Sequence, residues 1–80
     1  MLTESKIKKA AVLVALDISL KRMKNSPKRC ARNIMELGLS AYPDKIPKEQ
    51  QEIIFRDLAS ACEHGDINKA KNSFITYFLS

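Results

Sequence analysis

The sequence predicts an all-α protein, a compact bundle or orthogonal array of four helices at about 3–24, 27–41, 47–64 and 66–79. Three observations lead to it. β-Branched residues are scattered instead of alternating with polar ones, so no strand pattern emerges. Apolar residues recur at helical spacing in each segment. Helix breakers are few, three Pro and two Gly, and most of them fall at the joints between those segments.

In the first helix Thr3 is the expected N-cap, and Glu4 suits the positive end of the helix dipole. Ile7, Ala11, Val14 and Ile18 share one face. Val12, Leu13, Leu16 and Leu20 widen it until the middle of the helix is apolar nearly all round. Such a helix is the centre of the fold or also faces another subunit, and in the second case Val12, Leu13, Leu16 and Leu20 form the dimer or docking surface. Ser26 and Pro27 then start the second helix as N-cap and first helical residue. Its inner face reads Cys30, Ile34, Leu37 and Ala41, with Ala31, Met35 and Leu39 beside it. Gly38 weakens a helix by about 1 kcal/mol relative to Ala, and a close helix crossing there would explain it.

The turn YPDKIP ends that helix, and Pro47 opens the third. Glu52 stands four residues before Arg56 for a surface ion pair, and Ile54, Leu58 and Ala61 form the buried row, with Phe55, Ala59 and Cys62 adjacent. His64 and Gly65 close it, Gly65 supplying a left-handed cap, and Asp66 caps the fourth helix. There Ile67, Ala70, Phe74 and Phe78 form the apolar face. Phe74 and Phe78 are expected in the core, because a small bundle without Trp needs its largest side chains inside. Tyr77 is expected at its margin, where with Leu79 it would extend a docking surface.

Eighty residues form one domain, 1–80, which buries roughly two-thirds of its unfolded surface and has a thin stability margin. The apolar fraction of 45% and charged fraction of 29% are those of a globular chain. Lys6, Lys8 and Lys9 before AAVLVAL imitate a signal peptide. Asp17 interrupts the run well short of the ~20 residues of a membrane span, so a cytoplasmic protein without export signal or membrane anchor is expected. Cys30 and Cys62 form no C-x-x-C pair, and buried free thiols are the expected state, with one structural disulfide as the alternative.

Charge is the feature with functional content. Residues 1–33 hold nine Lys or Arg against two acids, and residues 34–80 hold five against seven. Six of the nine, Lys21, Arg22, Lys24, Lys28, Arg29 and Arg32, fall within KRMKNSPKRCARN. The first three follow the helix dipole at a C-terminus. Lys28, Arg29 and Arg32 oppose it at an N-terminus, which favours an anionic partner. Arg29 and Arg32, three residues apart, share a helix side.

Two classes of partner fit this patch: an acidic protein surface, or nucleic-acid phosphates. The patch has no aromatic residue for stacking on single strands, and the third helix begins with acids where a base-reading helix makes its contacts. A solvated basic face offset by Glu36 or Asp57 after folding is the plain alternative to both. Catalysis finds no support: His64 reads as a helix-end histidine, and Glu49, Glu52 and Asp57 read as a solvated helix face without metal-ligand spacing. No cofactor is expected.

Residues 37–65, LGLSAYPDKIPKEQQEIIFRDLASACEHG, resemble the middle helical hairpin of the bacteriocin immunity proteins through S-A-Y, K-I and Q-E-x-I. Those proteins are small basic cytoplasmic four-helix bundles. The likeness covers under half of the chain and includes no counterpart of the C-terminal extension with which they meet their toxin. It implies that an object of this type works by binding another protein. The expectation is thus a small, cytoplasmic, bacterial adaptor or regulator that binds a protein, as a monomer or homodimer, and has no membrane partner.

Overall fold

The computed structural model describes residues 3–80. Thr3 begins the first helix, its Oγ1 accepting the Lys6 N–H at 3.3 Å. Four helices follow: α1 (Glu4–Leu20), α2 (Pro27–Ala41), α3 (Lys48–Glu63) and α4 (Ile67–Phe74), the last continued by a π-helical turn, Ile75–Leu79. α1 packs on α2, α2 on α3 and α3 on α4, and α4 closes back on α1. The expected all-α four-helix fold is therefore the one observed, flattened to 39 × 28 × 16 Å.

α1 stops at Leu20, four residues before the expected end. The backbone then tightens, with Arg22 N–H on the Ser19 carbonyl and Met23 N–H on the Leu20 carbonyl, each at 3.1 Å. A residue before proline is disfavoured in helical conformation, and Ser26 is extended at φ −156°, so the winding must end before Pro27. Cys30 Sγ donates to the Ser19 carbonyl at 3.3 Å and ties the start of α2 to the end of α1.

The joint between α3 and α4 has no linker to spare. Gly65, at φ +69°, donates to the Cys62 carbonyl, and Asp66 N–H donates to that of Ala61, each at 3.0 Å. The Asp66 carboxylate then accepts the Lys69 N–H at 3.0 Å, so one residue ends one helix and caps the next. Pro47 takes the cap position of α3 instead of its first turn. The fourth helix departs from expectation at Ile75. Its wider π winding brings both Phe78 and Leu79, four and five residues after Phe74, to the inner face.

One core joins all four helices. Phe74, Phe78, Leu16, Met23, Ile34 and Leu58 are its largest fully buried members. The close approach at Gly38 is made by the Phe78 ring. Ile67, expected inside, stays 41% exposed at the start of α4. Among the described residues no helix is long and apolar enough to cross a membrane.

α1 holds the main correction. Val12, Leu16 and Leu20, candidates for a docking surface, lie in the core at 5%, 0% and 2% exposure, and Leu13 is half buried against it. Packing on α2 and α4 draws this row inward. The opposite row is left outside, with Ile7, Val14 and Ile18 more than half exposed.

Candidate partner-binding site

The tight turn after α1 carries Lys21, Arg22 and Lys24, and the first turns of α2 carry Lys28, Arg29 and Arg32. All six side chains are exposed. Met23 and Cys30, interleaved with them, are buried and anchor the backbone that presents the cations. The patch is therefore built on a short, tethered joint.

Its electrostatics are one-sided. The ion pairs among the described residues are Arg56–Glu52 at 2.8 Å and Lys71–Asp17 at 3.1 Å, and neither involves the six cations. Asp57, one acid expected to offset the patch, accepts the Tyr77 hydroxyl at 2.9 Å instead. α2 begins with no acid in its first turn and with no side-chain cap from Ser26. Its positive dipole end and the cations of Lys28, Arg29 and Arg32 thus add at one edge.

The other candidates do not join this edge. Tyr77 is half buried, its hydroxyl held by Asp57, and that bond together with burial raises its pKa. Leu79 is buried, so it offers no docking surface with Tyr77. His64 Nδ1 lies 2.7 Å from the Ser60 carbonyl at the end of α3. Glu52 is held by Arg56 and Asp57 by Tyr77, so the acids of α3 point to different neighbours. An open cleft of about 480 Å³ runs along α4 beside Asp66, Lys69, Asn72 and Tyr77, and none of the six cations lines it.

Cys30 on α2 and Cys62 on α3 are free and buried, and the Cys30 thiol donates to the Ser19 carbonyl. Burial raises the pKa of both thiols; that of Cys62 is pushed up to about 12, with Cys30 and then Glu63 adding to the effect.

Sequence reasoning missed the outward row of Ile7, Ala11, Val14 and Ile18 as a surface. The signal was present, because this row lies opposite Val12, Leu16 and Leu20 on the helix and both could not face one core.

No protein family matches the chain, and no curated protein or solved structure does either. The likeness of residues 37–65 to the immunity proteins rests on those residues alone. Fold and site define a small all-α protein with an unpaired basic edge.

Proposed function

We propose that this is a small, cytoplasmic, non-catalytic adaptor or regulator that binds an acidic protein surface with Lys21, Arg22, Lys24, Lys28, Arg29 and Arg32. The observation that carries the reading is the exposure of all six cations with no ion-pair partner among the described residues. An acidic surface would satisfy the cations and the dipole of α2 together, at a helix start whose first turn holds no acid and where Glu36, four residues after Arg32, forms no ion pair with it. The test is affinity capture with the intact protein and with Arg29→Glu/Arg32→Glu, with and without nuclease, followed by mass spectrometry. A nuclease-resistant partner retained by the intact protein and lost by the variant, at unchanged melting temperature, is the expected result. Equal retention by both removes the patch from the mechanism.

The uncapped N-terminus of α2 favours a second reading, in which the same residues hold nucleic-acid phosphates. That reading requires retention on duplex or single-stranded probes near 50 mM salt, with affinity falling steeply as salt rises. No shift with either probe excludes it.

A further inference from the structure

The outward row of α1 meets the basic joint end to end. Ile7, Val14 and Ile18 are 54%, 60% and 53% exposed, whereas the row facing the core is closed. At about 100° per residue, Ile7, Ala11, Val14 and Ile18 fall within about 60° of one another and span about 16 Å along the axis. Ala10 and Ala15 sit at the two margins, small enough to let another helix approach closely. Ile18 is three and four residues before Lys21 and Arg22, so the apolar row leads into the cationic joint.

The charges beside the row select its occupant. Lys6 and Lys21 lie toward one margin, Lys8 toward the other with its Nζ over the Tyr42 ring, Arg22 follows at the C-terminal end, and Glu4 is the acid at the N-terminal end. Asp17, the acid beside Lys21, is already engaged by Lys71. We propose that this row seats an amphipathic helix of a partner protein, apolar on one face, acidic along its flanks, and antiparallel to α1. The antiparallel direction places the partner's N-terminal turn over Lys21 and Arg22, where carboxylates satisfy both these cations and the partner's own dipole. The inference deepens the function proposed above and rests on it, adding that the acidic surface is carried by a helix.

Other occupants fit less well. A second copy, from a chain of net charge +5, would bring its own Lys6, Lys8, Lys21 and Arg22 against the same set, with Glu4, besides the engaged Asp17, as the acid on that side to offset four cations. A lipid surface is served by Trp, Phe or Leu on the buried face, and this row holds Ile, Val and Ala.

The experiment titrates the ¹⁵N-labelled full chain with a synthetic amphipathic helix bearing Leu at i, i+3 and i+4 spacing and Glu on both flanks. A Lys-flanked version of that helix and vesicles of phosphatidylserine and phosphatidylcholine are the comparison arms. Val14→Ser/Ile18→Ser and Arg29→Glu/Arg32→Glu are measured beside the intact protein, their folds checked by melting temperature. The expected result is amide shifts along residues 7–18 with the Glu-flanked helix, an affinity loss of at least about tenfold in Val14→Ser/Ile18→Ser, and no binding of the Lys-flanked helix. Loss in Arg29→Glu/Arg32→Glu alone overturns the inference and leaves the basic patch standing as the site. Loss in Val14→Ser/Ile18→Ser alone supports the seat and removes Arg29 and Arg32 from partner binding. Binding to vesicles without the helix, sedimentation as a dimer that Val14→Ser/Ile18→Ser dissociates, or no binding in any arm each overturns it.

Discussion

The Phe78 ring lies where a side chain at residue 38 would be: a Cβ built on Gly38 falls 2.5 Å from Cε2 and Cζ of Phe78. The ring cannot easily retreat. It is buried and packed against Phe74, with centroids 4.9 Å apart and planes tilted by 40°. Gly38→Ala would gain about 1 kcal/mol of helix propensity, but overpacking of this kind costs about 1–3 kcal/mol. The expected outcome is net destabilisation of up to about 2 kcal/mol, read as a lower urea midpoint. Phe78→Leu on the Gly38→Ala background should recover part of that loss in a double-mutant cycle, whereas additive losses would show that the two residues do not compete for the same space.

How much of this contact was legible in sequence depends on how local each cause is. The start of α2 is written in Ser26-Pro27 and the end of α3 in His64-Gly65-Asp66, because a cap is decided by residues within one turn of it. The basic cluster was legible for the same reason, its six cations lying within thirteen positions. Gly38 announced a close crossing but not its partner, which comes from forty residues further along. The two apolar rows of α1 were legible as rows, yet their spacing is equally helical, and only packing on α2 and α4 decides which one is inside. The π winding at Ile75 likewise depends on seating both Phe78 and Leu79 against other helices.

The left-handed Gly65 gives a prediction free of packing. Nothing lies within 4 Å of a Cβ built there, so Gly65→Ala tests backbone conformation alone. At φ +69° an Ala is strained by about 1–2 kcal/mol. Gly65→Asn should lose less than Gly65→Ala, because Asn tolerates this region better. Equal stability of all three proteins in urea unfolding would mean that the joint between α3 and α4 relaxes to another conformation.

The buried thiols predict an alkaline limit to stability. Cys62, pushed up to about 12 by burial and then by Cys30, keeps its proton in the folded state after the unfolded thiol, near 9.0, has lost its own. The unfolded chain therefore binds fewer protons across this window, and stability falls as pH rises from 9 toward 12. Below pH 9 both states are protonated and the contribution is fully present. Urea unfolding at pH 8 and pH 10.5 should show the decline, and Cys62→Ala, though less stable at pH 8, should show a shallower one. A thiol-specific reagent at pH 8 should label both cysteines far more slowly in buffer than in denaturant, since attack requires an exposed thiolate.

The two tyrosines predict opposite results from one substitution. The Tyr77 hydroxyl donates to Asp57 at 2.9 Å, so Tyr77→Phe removes a hydrogen bond to a charged acceptor and should cost about 1–2 kcal/mol. The Tyr42 hydroxyl is buried and meets no hydrogen-bond partner among the described residues, so it bears a desolvation penalty that nothing offsets. Its ring also carries Lys8 Nζ, 4.6 Å from the centroid, a contact that a Phe ring retains. Tyr42→Phe should therefore leave stability unchanged or raise it by up to about 1 kcal/mol. Paired urea melts decide the matter: a loss at residue 42 as large as that at residue 77 would mean that the Tyr42 hydroxyl is satisfied in solution.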